Sequence, residues 1–145
     1  MTEITLRPAV EADAESIRLC IDAAYAVARQ TISDLPDVSG GVEDDIRDSH
    51  VVVAESSTRL LGVLVYGFER EVAMIFNLAV SPDAQGRGIA RRLLDFAETE
   101  ARRRQIRVLR LTTHRLMAGT RAMYRHLGWR EVAKSGNRVF LEKSV

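Results

Sequence analysis

The chain has 145 residues, 46% of them apolar and 28% charged, with a formal net charge of +1: one globular domain spanning residues 1–145, long enough to bury a real core. Its single cysteine, Cys20, excludes an internal disulfide and any multi-cysteine metal site, so no metal is expected. No apolar run approaches the ~20 residues of a membrane span and no basic-then-apolar leader precedes the first strand, so a cytoplasmic protein with no membrane partner is expected.

Ile4-Thr5-Leu6 predicts a short first strand. Asp13 is the expected cap of a helix whose apolar positions Ile17, Cys20, Ile21, Ala24 and Ala28 follow helical spacing. Cys20 on that stripe reads as a core residue. The segment 31–41, with Pro36 and Gly40-Gly41, reads as loop, and 43–48 as a short acidic helix. Strands follow over 51–55 and 61–68 across a polar turn, and a third over 72–80 across the tight connection Glu69-Arg70-Glu71. A helix over about 87–104 buries Ile89, Leu93, Phe96, Ala97 and Ala101. A strand over 108–112, a helix over 119–127 stopped by Gly128, and closing strands over 129–133 and 139–143 complete the chain. The order predicts a mixed sheet flanked by helices, α+β in character.

Charge is segregated along this order. Residues 86–130 hold twelve arginines against Asp95, Glu98 and Glu100, and residues 31–50 hold six acids against Arg47. The basic half suits an anionic ligand. Nucleic acid is not the expected partner, because few aromatics interleave with these arginines for base stacking.

The most informative stretch is Asn77-Leu78-Ala79-Val80-Ser81-Pro82-Asp83-Ala84-Gln85-Gly86-Arg87-Gly88-Ile89-Ala90-Arg91. A strand ends at a turn, and a glycine-spaced loop opens straight into a helix. Such a junction aims unpaired backbone N–H groups and the positive end of a helix dipole at one point, a geometry suited to diphosphate. No lysine follows the glycines as a P-loop requires, and Arg91 stands where a dinucleotide fingerprint needs a small residue. A strand–helix turn that needs glycine only for its geometry is the alternative.

Gln85, Gly88 and Ala90 fit the pattern Gln/Arg-x-x-Gly-x-Gly/Ala, and about 35 residues later comes Thr120-Arg121-Ala122-Met123-Tyr124-Arg125-His126-Leu127-Gly128-Trp129. Together with the opening Ile4-Thr5-Leu6-Arg7-Pro8-Ala9, these resemble the two signatures and the N-terminal strand of the GNAT family of N-acetyltransferases, except that Thr120 stands where asparagine is usual. The resemblance implies a three-layer α/β sandwich, its mixed and mostly antiparallel sheet of about seven strands split between the fourth and fifth.

It also implies acetyl-CoA as co-substrate. Its pantetheine arm would pair with Leu78, Ala79 and Val80, and its pyrophosphate would lie on Gln85, Gly86, Arg87, Gly88, Ile89, Ala90 and Arg91, with Thr120 nearby. Tyr124 matches the tyrosine placed at the thioester sulfur. An ordinary tyrosine (pKa ~10) giving its proton to a thiolate (~8.5) works uphill by about 2 kcal/mol, so hydrogen-bond stabilisation of the leaving group is the safer role.

A base must deprotonate the attacking amine. Asn77 occupies a place where many relatives carry glutamate and would hold a water or the acceptor. His114 has a suitable intrinsic pKa. Glu69 and Glu71 are equally explained by a hairpin, and His50 and His126 read as surface residues. The acceptor site should form from the first helix, the 31–41 loop and the acidic second helix, with Tyr25 among its walls. The expected activity is direct transfer of an acetyl group to a primary amine in a ternary complex, the acceptor a small molecule. Acetylation of a protein N-terminus or lysine, and a non-catalytic acetyl-CoA sensor that Asn77 and Thr120 would signal, are the alternatives. The family resemblance also makes a homodimer an expectation.

Overall fold

The computed structural model describes residues 3–145. In chain order they form β1 (Ile4–Pro8), α1 (Ala14–Thr31), α2 (Val42–Asp48), β2 (His50–Ser56), β3 (Arg59–Glu69), β4 (Val72–Val80), α3 (Ile89–Arg103), β5 (Val108–His114), α4 (Ala118–His126), β6 (Arg130–Ser135) and β7 (Arg138–Ser144). One seven-stranded sheet runs β1-β2-β3-β4-β5-β7-β6, antiparallel throughout except at β4–β5. The expected mixed sheet with helices on both faces and a split after the fourth strand is what forms.

β2 and β3 are buried on both faces, which is why they read as near-continuous apolar runs. Val51, Val53, Val63 and Val65 meet Ile17 and Ile21 of α1 on one face. Val52, Leu64 and Tyr66 meet Ile89, Leu93, Leu94 and Ala97 of α3 on the other, with Tyr124 of α4 in the same cluster. Leu93 and Leu94, at 0% and 1% exposure, each contribute on the order of 1.5–3 kcal/mol by burial. Gly62 permits that closeness, since a Cβ there would stand 3.0 Å from Ile89 Cγ2 and 3.2 Å from the Ala79 carbonyl oxygen. The start of α3 is thereby pressed onto the sheet beside the end of β4.

Asp13 precedes α1 as expected, but its side chain forms no cap bond to the helix. Its carboxylate accepts hydrogen bonds from the Arg7 guanidinium at 2.8 and 2.9 Å and from the Val10 N–H at 2.8 Å. A charged fork outcompetes a backbone N–H for the same oxygens. The α3 stripe also holds Glu98, 5% exposed and bound at 3.0 Å by Nζ of Lys143, which β7 presents on the same face of the sheet, so that position is buried as a charge pair.

Candidate active site

Parallel pairing of β4 with β5 covers only Val72–Ile75 against Val108–Leu111. Beyond Ile75 the two strands diverge, and β4 presents an open edge. The Ser81 N–H donates to the Leu61 carbonyl at 2.8 Å, which makes Gly62–Val80 a non-hydrogen-bonded pair of the β3–β4 ladder. The Val80 N–H and C=O therefore face away from β3 into the split. Alternation turns Leu78 the same way, while Ala79 between them pairs with Val63.

A β-bulge decides what lies at the mouth of the split. Val65 pairs with Asn77 and Tyr66 with Ile75, so Phe76 is the extra residue. Ile75 joins the α3-side core, whereas Asn77, two residues on, sits opposite Val65 on the α1 face. Without the bulge both side chains would share one face. Asn77 is 7% exposed, and its Oδ1 lies 3.4 Å from the Tyr25 hydroxyl of α1. Its Nδ2 has no hydrogen-bond partner among the described residues.

The glycine loop closes the other end. Gly86 and Gly88 have φ of +80° and +75°, a left-handed backbone that favours glycine. Gly88 is the N-cap of α3 and no side chain caps that helix, so the N–H groups of its first turn are left without intrahelical partners. The first turn holds no acid and instead carries Arg91 and Arg92, against the usual dipole preference.

From this loop to Asn77 runs a cleft of about 880 Å³. Leu78, Ala79, Val80, Gln85, Gly86, Gly88, Ile89, Ala90, Arg91 and Thr120 line it, with Asn77 and Tyr124. Arg87, which belongs to the same loop, is not part of the lining. Tyr124 is held by edge-to-face packing on Trp129, ring centroids 5.5 Å apart, and by its carbonyl accepting the Trp129 N–H at 2.9 Å. Burial pushes its hydroxyl pKa well above the usual tyrosine value, and nearby Tyr25 adds to the shift. At neutral pH that hydroxyl is a hydrogen-bond donor and a poor source of a full proton.

His114 stands apart from the cleft. It ends β5, 9% exposed, in a second cavity of about 410 Å³. The Leu116 N–H donates to His114 Nδ1 at 3.1 Å, so Nδ1 is the acceptor of the ring and Nε2, 2.7 Å from Asp34 Oδ1, is the donor. Both ring nitrogens are engaged, so the histidine serves as a clamp on the 32–41 loop. Asn137 Nδ2 grips the other Asp34 oxygen at 2.7 Å. Of the six acids in 31–50, only Asp34 lines either cavity; the others include Glu43, ion-paired with Arg18, and Asp44, ion-paired with Arg47. Glu69 and Glu71 flank the β3–β4 hairpin and line neither. Leu35, Pro36 and Val38, which also line the second cavity, belong to the 31–41 loop expected to form part of the acceptor site, whereas Met117, Asn137 and Arg138 carry no sign of it in the sequence.

Among the described residues no cluster of histidine, cysteine, aspartate and glutamate could hold a metal ion, and no helix is long and apolar enough to cross a membrane.

No curated protein matches the chain. Among solved structures, the PaiA N-acetyltransferase of Thermoplasma acidophilum, in complex with coenzyme A, is 18% identical and superposes with a TM-score of 0.83 over 99% of each chain. A GNAT-family acetyltransferase from Staphylococcus aureus, 13% identical, gives a TM-score of 0.84 over 98% of this chain and 99% of its own. A ribosomal-protein-alanine N-acetyltransferase from Brucella melitensis is 26% identical, with a TM-score of 0.73 over 97% and 99%. The model of the acetyltransferase (GNAT) family matches residues 20–129, from α1 through the split strands to Trp129, and the chain belongs to that family of acyltransferases.

Proposed function

We propose that the protein transfers the acetyl group of acetyl-CoA to the amine of a small molecule by direct attack in a ternary complex. The observation that carries this reading is the continuity of the cleft, from the uncapped start of α3, along the open edge of β4, to Asn77 and Tyr124. Pyrophosphate oxygens would accept the free N–H groups between Gly86 and Arg91, and their charge would reverse the misfit of Arg91 and Arg92 with the helix dipole. The pantetheine arm would pair with the outward groups of Leu78 and Val80 as an added strand. The Val80 N–H would polarise the thioester carbonyl, and the Tyr124 hydroxyl would donate a hydrogen bond to the departing thiolate. Cys20 lies 5% exposed in α1 and does not line the cleft, which supports direct attack over an acyl-enzyme.

A small acceptor is favoured by the second cavity. It shares Tyr25, Phe76, Thr112, Thr113 and Met117 with the cleft and is bounded by the clamped loop around Asp34–Val38. A homodimer belongs to the same proposal, with β1 and β6 as the outer strands of the sheet.

The test is calorimetric titration of acetyl-CoA into the protein, followed by a panel of amines with release of free thiol as readout. One-to-one binding with amine-dependent thiol is the expected result. Binding without turnover on any amine would favour a sensor, and no binding would overturn the reading of the loop.

A further inference from the structure

The second cavity contains three ionisable side chains besides Tyr25: Asp34 from the loop, His114 from β5 and Arg138 from β7. Two of them are closed on each other. His114 is tied through Nδ1 to the Leu116 N–H and through Nε2 to Asp34, and the second Asp34 oxygen takes Asn137 Nδ2. Asp34 is thus bound by two donors, and these bonds, Asn137 first, lower its carboxyl pKa and keep it ionised.

Arg138 is different. It pairs with His114 in the β5–β7 register, so the two side chains project from the same face of the sheet. It is exposed at the cavity's outer rim, and among the described residues its side chain forms no ion pair or hydrogen bond, which leaves the donors of its planar fork open to a ligand. It lines the second cavity and not the cleft, so it stands on the side away from Tyr124. Between them the walls are largely apolar, with Leu35, Pro36 and Val38 from the loop, Phe76 from the bulge of β4 and Met117 before α4, while Thr112 and Thr113 of β5 add two hydroxyls.

An apolar passage with an unpartnered guanidinium beyond it suits a carbon chain ending in a carboxylate. The fork matches two carboxylate oxygens in one plane. A second ammonium group would find Asp34 as its only anion in the cavity, with both oxygens already accepting hydrogen bonds.

We propose that this chamber binds the carboxylate end of the acceptor, which is an amine joined to a carboxylate through an apolar spacer, and that Arg138 determines this specificity. The proposal rests on the N-acetyltransferase reading above. Phe76 and Met117, which line both spaces, would carry the spacer from the thioester to Arg138.

The experiment measures thiol release by the full chain with short ω-amino carboxylic acids of increasing length. Each is compared with its carboxamide, with the diamine of equal length and with the plain alkylamine. The expected result is a kcat/KM for the carboxylate at least tenfold above the carboxamide at the best length. Arg138→Gln should bring that ratio close to one through a rise in KM, and Arg138→Lys should keep part of it. Equal use of the carboxamide or preference for the diamine would overturn the inference while leaving the transferase intact. So would a carboxylate preference that survives in Arg138→Gln. Thiol release from no amine at all, charged or plain, would instead overturn the transferase reading and the inference with it.

Discussion

Tyr25 and Asn77 meet across the α1–β4 interface, the tyrosine hydroxyl 3.4 Å from Asn77 Oδ1, and this contact leaves Asn77 Nδ2 as a buried donor with no partner among the described residues. An unpaired buried amide N–H costs roughly 1–3 kcal/mol, and a near-isosteric apolar replacement removes that cost. Asn77→Leu removes that cost but also the acceptor of the Tyr25 hydroxyl, a long contact of 3.4 Å, so the two effects offset and the melting temperature should stay close to that of the natural protein. If Nδ2 holds the acceptor or a water, the same variant should lose about tenfold or more in acceptor kcat/KM, with acetyl-CoA affinity unchanged. Thermal melts and thiol-release kinetics on one preparation check both. A fall in melting temperature with unchanged kinetics would return Asn77 to a purely structural role.

Tyr124 is expected to act as a donor that never ionises in the working range. Its hydroxyl pKa is pushed upward by burial, so it stays protonated through the alkaline side of an activity profile. The natural enzyme should show no decline traceable to this residue below pH 9. Tyr124→Phe keeps the packing against Trp129 and removes one hydrogen bond to a developing thiolate, worth roughly 1.5–3 kcal/mol, or about ten- to a hundredfold in kcat. Calorimetry should find acetyl-CoA binding within twofold of the natural protein. Unchanged turnover would remove Tyr124 from the chemistry.

Gly88→Ala separates fold from cofactor. A Cβ at Gly88 meets nothing within 4 Å, so the penalty to the free protein is the left-handed backbone alone, on the order of 1 kcal/mol. The same methyl group would stand at the uncapped start of α3, where the pyrophosphate is proposed to lie. Acetyl-CoA affinity should fall more than tenfold while the melting temperature drops by only a few degrees. Equal losses in both would mean that the glycine serves the turn and nothing else.

How far the sequence reveals this arrangement depends on the range of the interactions. β4, Val72–Val80, is legible to the residue because an apolar run is bounded by a hairpin and by Ser81-Pro82. The loop and Tyr124 are legible because each belongs to a short motif. The bulge at Phe76 has no local sign, since it arises from the register against Val65 and Tyr66, so the alternation read along β4 gives no warning that Asn77 changes face. Glu98 falls four residues after Leu94 on the buried side, yet its charge hides it from an apolar count until Lys143 is brought beside it. The second chamber is the least legible element. Asp34 and His114 lie eighty positions apart, and the Gly136-Asn137 turn that presents Arg138 reads only as a hairpin.

Cys20 bears on every assay that follows free thiol. Desolvation pushes its thiol up to about 11, so at pH 8 roughly one molecule in a thousand carries the reactive thiolate, and 5% exposure restricts access further. A disulfide reagent should register no thiol from the native protein over minutes and one per chain after unfolding. Rapid labelling of the folded protein would contradict the packing of α1 on the sheet. Loss of acetyl transfer in Cys20→Ala, with fold retained, would contradict direct attack.

The helix that carries Tyr124 is tied to the outer strand β6 by charge. Glu131 accepts from Arg121 Nε and a terminal Arg121 nitrogen at 2.8 Å each, and from Arg125 at 2.9 Å. The Arg121 hydrogen bonds, then the charges of both arginines, hold the Glu131 carboxyl down to about 2. Because the folded value lies below the unfolded one of about 4.3, the ionised side chain stabilises the fold fully above that pH. The stabilisation declines as the pH falls towards about 2 and is absent below it. Glu131→Gln should therefore melt below the natural protein at pH 7 by a margin that holds to about pH 5, narrows through pH 3 and closes near pH 2. High salt should shrink the margin at neutral pH. A margin that widens on acidification would show that the anchoring of α4 comes from elsewhere and that these three side chains are only neighbours.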